Sequence, residues 1–340
     1  MGTNMKAVVL RDFGTAENFE LADLPQPVVQ PEQVLVKIKA AAFNPIDYQM
    51  RRGDSEKKLL KSAILGRELS GIVEAVGERV KNFVPGDKVA AYVSSLASNG
   101  TYAEYISVPH QMLAKMPAGL SFEQAAALPL VGLTALQCVE RLQLKTEDKV
   151  FVSGGAGGVG TILLQLLLMG GIHRITTTAG NEKSRAHLRS LGLHDNQIID
   201  YRESNLVQRV QDVFESREYD CCIDLVGGAT SELCAAVIKV QGIYVDVTRL
   251  ATEAARSLLF DKATMVMNIA NYAFAVFGRP EQLTSYGEKL QWLFQRIESN
   301  QLSPAAVEIV GNLSAETVKK AHQMLEANET KGKKLVMIMD

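Results

Sequence analysis

The chain has 340 residues, 47% of them hydrophobic and 22% charged, with a formal net charge of −2 at neutral pH. That balance fits a globular protein long enough for two domains of roughly 100–200 residues each, and it gives no electrostatic ground for expecting nucleic acid or an anionic membrane as partner. No apolar run reaches the roughly 18–20 residues of a membrane span, and no charged segment followed by an apolar one opens the chain, so no membrane partner and a cytoplasmic location are expected.

Met5 is a second possible start, and an apolar strand, Lys6 to Leu10, begins beside it. From there to about Ala125 short strands are punctuated by Pro25, Pro27, Pro31, Gly53, Gly77, Pro85, Gly86 and Gly100, and the alternation of Gln33 to Lys39 predicts a strand with one wet face. From about Pro129 to Asn268 the texture changes to strands at 149–153, 173–178, 197–200, 219–225 and 242–247, separated by helices including 161–169, 182–191, 204–215 and 230–239. Strands alternating with helices predict an α/β doubly wound parallel sheet. After Asn271 come a helix carrying Trp292, a break at Pro304, a helix near 314–327 and a last strand, Lys334 to Met339. A lone terminal strand needs a sheet to join, and the β-rich N-terminal part is the available one. The expected organisation is therefore a discontinuous β-rich domain, 1–126 with 271–340, around a nucleotide-binding domain, 127–270. Cys138, Cys221, Cys222 and Cys234 have neither the spacing of a zinc ribbon nor that of a disulfide framework and read as core thiols.

The stretch with the most chemical content is Val150 to Gly160, an apolar strand running into Gly155, Ala156, Gly157, Gly158, Val159 and Gly160 and then into an apolar helix. A dinucleotide-binding turn needs glycine for the tight turn, for backbone approach to a pyrophosphate and for close helix–strand packing, and the helix start offers unpaired amides to the phosphates. A flexible glycine linker would share the composition but not the flanking strand and helix. About twenty residues beyond, where an NAD-binding fold places an acid on the ribose 2′-hydroxyl, the strand tip reads Ala179, Gly180, Asn181. Lys183 and Arg185 follow and can answer a 2′-phosphate, which favours NADPH. The alternative is that both are solvated charges of a first helical turn, and Glu182 beside them supports it.

The order and spacing of Met5-Lys-Ala, Asn44-Pro-Ile-Asp47, Gly66-Arg-Glu-Leu-Ser-Gly71, Val76-Gly77, Val84 to Val89, Gly100 to Tyr105, Ala126 to Ala135, the glycine turn and Lys331-Gly332-Lys333 resemble the medium-chain dehydrogenase/reductases, specifically their zinc-lacking quinone oxidoreductase branch. The resemblance implies a GroES-like catalytic domain around a Rossmann domain, with cofactor and substrate in the cleft between them, and a homodimer joined through the segment around Met265 to Ala275. Zinc enzymes of the superfamily carry cysteine where this chain has Asn44 and histidine where it has Arg67, so the donors of a three-ligand zinc site are missing and no metal is expected. Without a Lewis acid the chemistry implied is hydride delivery to an already electrophilic quinone or α,β-unsaturated carbonyl.

By the same resemblance Gly155 to Gly160 take the pyrophosphate, and Gly180, Lys183 and Tyr201 surround the 2′-phosphate and adenosine. Asn44, Val131 and Thr134 lie near the nicotinamide and its ribose, Val226, Gly227 and Gly228 beside the cofactor, and Asn271 near the carboxamide. From composition alone Asn44 reads equally as a turn former before Pro45, Thr134 as an ordinary helix residue and Tyr201 as a loop aromatic. For the proton that enone reduction needs, Tyr48 is the nearest phenol to the Asn44 motif, Arg51 or Arg52 can polarise a carbonyl oxygen, and solvent is the alternative donor. Asp47 is expected to cap local backbone, and the five histidines are expected to be structural or superficial. Two other functions compete. An enoyl-thioester reductase is disfavoured by the missing tyrosine in Arg52-Gly-Asp-Ser55, and a non-catalytic NADPH-binding protein would keep the fold without turnover.

Overall fold

The computed structural model describes residues 3–54, 60–94, 100–215 and 217–339; Met1, Gly2 and Ser55 of the sequence reading lie outside them. By its contacts the chain divides into two units, Thr134–Asn271 and the remainder, Met1–Leu133 with Tyr272–Asp340. The first junction falls inside a continuous helix, Pro129–Arg141, which is why no turn residue marks it.

In the discontinuous unit the final strand, Lys334–Ile338, joins the N-terminal sheet, pairing antiparallel with Gln33–Ala42 through Val336 opposite Ala42. The sheet continues on that strand's other side through Glu68–Val76, Lys88–Tyr92 and Leu113–Lys115, while Tyr105–Pro109 also pairs with it. With three partners, Gln33–Ala42 is more deeply buried than its alternation suggests, and only Gln33, Lys37 and Lys39 keep partial exposure. On its outer flank the terminal strand pairs in parallel with Val307–Asn312, a half-buried segment absent from the sequence reading. The core beneath is aliphatic and aromatic, with Phe19, Phe43, Tyr92 and Tyr102 essentially inaccessible.

Asn44 does not end in a simple turn. It is the N-cap of a helix, Pro45–Arg52, with Pro45 in the first helical position, where its missing N–H costs nothing, and Gly53 closing the helix at φ +82°.

The second unit holds a six-stranded parallel sheet in the order Ile198–Asp200, Ile175–Ala179, Val150–Val152, Tyr219–Asp224, Ile238–Asp246, Met265–Asn268. The order reverses between Val150–Val152 and Tyr219–Asp224, and in open parallel sheets ligands bind beyond the carboxyl ends at such a switch point. Helices Gly158–Met169, Glu182–Ser190, Leu206–Gln211 and Ala229–Val237 follow successive strands. All four cysteines are buried free thiols. The last strand is an edge, with Met265 63% and Val266 52% exposed. Among the described residues no helix is long and apolar enough to cross a membrane.

Candidate functional site

The glycine turn begins where Val150–Val152 ends. Gly154 takes φ +67°, a conformation costly to any residue with a Cβ. A Cβ on Gly155 would stand 2.2 Å from Thr177 Oγ1, and one on Gly160 would stand 2.5 Å from the Gly155 Cα. Those two glycines therefore permit contacts within the fold. Gly157 differs: it is exposed, caps the helix Gly158–Met169, and a Cβ there would meet only the Gly154 carbonyl at 3.3 Å. That open side leaves the first-turn amides accessible to an anion. Thr177, on the neighbouring strand, accepts the Gly155 N–H at 3.1 Å and donates to the Val152 carbonyl at 2.7 Å, tying turn to sheet.

At the tip of Ile175–Ala179 the Tyr201 ring lies against Gly180 so closely that a Cβ would come within 2.3 Å of the phenol oxygen. Tyr201 is nevertheless 52% exposed, so its other face borders solvent. Asn181 caps the helix Glu182–Ser190, its Oδ1 accepting the Ser184 N–H at 2.9 Å. Lys183 stands exposed in the first turn. The acids around it are engaged: Glu182 and Asp195 each meet Arg189 at 2.6 Å, and Asp200 takes three bonds from Arg202, two from its guanidinium and one from its backbone N–H, which hold its carboxyl down at about 2.

Beyond Tyr219–Asp224 the loop Val226 to Gly228 hangs on a buried carboxylate. Asp224 Oδ1 accepts Ser153 Oγ at 2.7 Å, Val226 N at 3.1 Å and Gly227 N at 3.0 Å, and Oδ2 accepts the Tyr244 hydroxyl at 2.9 Å. Gly227 and Gly228 both take positive φ, +78° and +58°. Asp224, Ser153, Tyr244 and Thr177 were not singled out from sequence; the available signal was an acid ending an otherwise apolar strand. Thr134 and Asn271 are brought together directly, with Asn271 Nδ2 donating to Thr134 Oγ1 at 2.7 Å.

In the discontinuous unit Asn44 sits in a buried cluster of charges. Its N–H donates to Asp47 Oδ2 at 2.8 Å, its Nδ2 to Glu68 Oε1 at 2.8 Å, and its Oδ1 accepts from Lys334 Nζ at 2.5 Å. Lys334 also reaches Glu68 Oε1 at 2.7 Å, and Glu68 Oε2 accepts the Leu130 N–H at 2.7 Å at the start of the helix that carries Val131. Asp47, expected to cap backbone, does so; burial raises its carboxyl to about 6 although Arg67, the Asn44 N–H and Lys334 pull the other way. The Tyr102 hydroxyl lies 3.2 Å from His322 Nε2. Burial drives His322 down to about 3, with the Arg51 charge adding to the effect. Arg51 and Arg52 converge on Glu326, and the Arg52 guanidinium lies 5.3 Å from the centre of the half-buried Tyr48 ring. Arg52 is thus already paired rather than held ready for a substrate oxygen.

Residues 30–118 match the alcohol dehydrogenase GroES-like domain, and residues 193–336 match a family described as zinc-binding dehydrogenase. An Arabidopsis thaliana protein described as a chloroplastic NADPH-dependent alkenal/one oxidoreductase is 32% identical over 98% of this chain and 79% of its own. The mitochondrial reticulon-4-interacting protein 1 of Caenorhabditis elegans is 29% identical over 93% of this chain and 91% of its own. Among solved structures, a quinone oxidoreductase from Coxiella burnetii superposes with a TM-score of 0.83 at 30% identity, covering 99% of this chain and all of that one. The chain belongs to the medium-chain dehydrogenase/reductase superfamily. It is an oxidoreductase of a family that binds a nicotinamide cofactor, built from a GroES-like unit and a Rossmann unit.

Membership makes zinc a question for the donor atoms. A carboxamide stands at position 44 with both ends of its side chain engaged, a guanidinium stands at Arg67, and both Glu68 oxygens accept hydrogen bonds from Lys334, Asn44 and Leu130. Cations crowd the position and no thiolate or imidazole is offered, so these residues do not fit a zinc ion. Among the described residues no group of three or more His, Cys, Asp and Glu side chains is placed to hold a metal. The nicotinamide cofactor does fit: the helix start at Gly157 is exposed, with only the Gly154 carbonyl near a would-be Cβ, and the strand tip Ala179, Gly180, Asn181, against which the Tyr201 ring packs, carries no acid to repel a phosphate.

Proposed function

We propose that the protein is an NADPH-dependent reductase that delivers hydride to a quinone or an α,β-unsaturated carbonyl without a metal ion. The observation that carries the NADPH reading is Lys183. A lysine in the first turn of a helix faces the positive end of the dipole, an unfavourable place unless an anion joins it, and the acids nearby are already held by Arg189 and Arg202. A 2′-phosphate between Gly180, Lys183 and Tyr201 supplies that anion. The NADPH-dependent description of the Arabidopsis relative, and the quinone oxidoreductase of Coxiella burnetii, support the same reading and the acceptor class.

In this reading Gly155 to Gly160 hold the pyrophosphate, Val226 to Gly228 border the cofactor, and Asn44, Val131, Thr134 and Asn271 serve the nicotinamide end. The bound dihydronicotinamide supplies two electrons and one proton as hydride, and the acceptor takes a second proton. The chain's work is to orient and to exclude water. Tyr48 is the side-chain candidate for that proton, with solvent as the alternative; Arg52, committed to Glu326, tunes the Tyr48 ring from its face instead of polarising an acceptor.

Lys183→Ala tests the assignment. A charge-assisted contact of roughly 1.5–3 kcal/mol predicts a loss of about ten- to a hundredfold in NADPH affinity with NADH unchanged. Added salt should erode the wild-type preference at this exposed site. Calorimetric titration showing equal wild-type affinities for the two cofactors, or equal losses in the variant, would refute NADPH selection. The exposed, apolar edge Met265–Asn268 further leads us to propose a homodimer formed by pairing of that edge, which removes an aggregation hazard. Light scattering at micromolar concentration should give the mass of two chains; a single-chain mass refutes it.

A further inference from the structure

Two groups far apart in the chain converge on one carboxamide. Glu68 lies 24 residues from Asn44 and Lys334 lies 290 residues away, so the arrangement closes only when the last strand joins the sheet. The amide orientation is dictated by its neighbours. Turned over, Asn44 would press its NH₂ against the Lys334 ammonium and its oxygen against the Glu68 carboxylate, two repulsions in a place where Asn44 is 1% and Glu68 0% exposed. Lys334 is itself buried and spends its donors on Asn44 Oδ1, Glu68 Oε1 and the Phe43 carbonyl. With the Asn44 N–H held by Asp47, the residue is fixed at its backbone and at both ends of its side chain.

We infer that Lys334 and Glu68 are positioning residues, which hold the Asn44 carboxamide in one orientation so that its remaining N–H is presented to the nicotinamide end of the cofactor. The inference rests on the reading of Asn44 given under Proposed function. It also gives the Lys334 ammonium a definite place: a cation belonging to the chain stands beside position 44, where zinc-dependent relatives carry a cysteine ligand. Unlike a metal, this cation cannot be stripped by a chelator.

A purely structural pair would serve only to neutralise charge, and the two roles separate experimentally. Lys334→Met alone strands the Glu68 charge and endangers the fold, so the decisive protein is the double variant Lys334→Met with Glu68→Gln, which removes both charges together. Its melting temperature, steady-state constants and single-turnover transfer from NADPH to a quinone are compared with those of the wild type and of Asn44→Ala. Positioning predicts a melting temperature close to wild type, a cofactor KM nearly unchanged and hydride transfer slowed by about ten- to a hundredfold, because a misplaced orienting group acts on rate. The isotope effect from deuterated NADPH should rise, and adding Asn44→Ala to the double variant should cost little more, since the three residues act as one unit. Recovery of both stability and transfer rate in the double variant overturns the inference. Should that variant not fold, Lys334→Arg, which keeps the charge and moves the donor, is subject to the same expectation of slowed transfer at unchanged KM, and wild-type transfer overturns the inference. If Asn44→Ala alone transfers hydride at the wild-type rate, the assignment of Asn44 to the nicotinamide fails and takes the positioning role with it. The side-chain amide resonance of ¹⁵N-labelled Asn44 then reports separately whether Lys334 and Glu68 hold it.

Discussion

In the Rossmann unit the candidate ligand surface is bare main chain: the open side of Gly157, the positive-φ turn at Gly154, the strand tip at Gly180 and the Gly227-Gly228 loop. In the GroES-like unit the residues around Asn44 are buried polar side chains, Lys334 paired with Glu68, Tyr102 beside His322, and Asp47 capping the Asn44 N–H, nearly all inaccessible. The first surface works by what is missing: at Gly157 the absent side chain leaves the helix start exposed, while at Gly155, Gly160, Gly180 and Gly227 it makes room for Thr177, the Gly155 backbone, Tyr201 and Leu250. The second works by what is committed, since a buried charge without a partner is so costly that each one fixes its neighbours. A substitution in the first region should therefore act through volume, and one in the second through charge and protonation.

The largest expected effect lies within the glycine turn, where two glycines separated by two residues should respond oppositely. Gly160→Val drives carbon into the Gly155 Cα and the Gly154 and Gly155 carbonyls at 2.5–2.6 Å, so backbone must shift. The variant should lose more than about a hundredfold in cofactor affinity and melt at a clearly lower temperature, overpacking of this kind costing about 1–3 kcal/mol or more. Gly157→Ala, which meets only the Gly154 carbonyl at 3.3 Å, should keep stability within about 0.5 kcal/mol yet weaken the cofactor by about tenfold, because its methyl stands where the phosphate would approach. Paired thermal melts and cofactor titrations decide; if both variants lost stability alike, Gly157 would be a packing glycine and the turn would not present its amides as argued.

The same contrast explains what could be read in advance. Gly155, Gly157 and Gly160 act over a few residues, so their spacing alone announces a turn between strand and helix, and the apolar strands on either side locate the sheet around it. The joining of Lys334–Ile338 to the N-terminal sheet was legible because a lone strand has one place to go. The partners of Asn44 were not, because nothing in local sequence links position 44 to 334; a lysine opening an apolar strand and a glutamate inside Gly66 to Gly71 were the only signals. Asn44-Pro45 looked like a turn because Asn and Pro favour turns, although an N-cap residue, Pro in the first position and Asp three residues later also spell a helix start. Ser153, Thr177 and Asp224 escaped notice for the reason that hid Lys334: each acts on the glycine turn or its neighbouring loop from a strand whose own sequence says only that it is buried.

The smallest expected effect probes the charged region through pH, and its sign can be worked out for its two buried groups with shifted protonation, His322 and Asp47. His322 is held down to about 3 from an ordinary 6.5, so the folded protein refuses a proton that the unfolded chain accepts. Its contribution is present above 6.5 and is lost as pH falls toward 3. Asp47 is held up to about 6 from 3.8, so the folded protein keeps a proton that the unfolded chain gives up; its contribution is present below 3.8 and is lost as pH rises through 6. Between pH 6 and pH 4 the two slopes oppose each other and nearly cancel, each amounting to roughly 1.4 kcal/mol per pH unit. Removing either should tilt the balance. Relative to wild type, His322→Gln should gain stability on acidification from pH 6 to pH 4, and Asp47→Asn should lose it, each by about 2–3 kcal/mol over the interval. Urea denaturation at the two pH values reads the difference, and comparison with wild type removes the contribution of the exposed carboxylates common to all three proteins. Parallel pH profiles in both variants would mean that the two groups do not hold the protonation states their burial requires, and that the GroES-like unit, like the Rossmann unit, depends on shape rather than on charge.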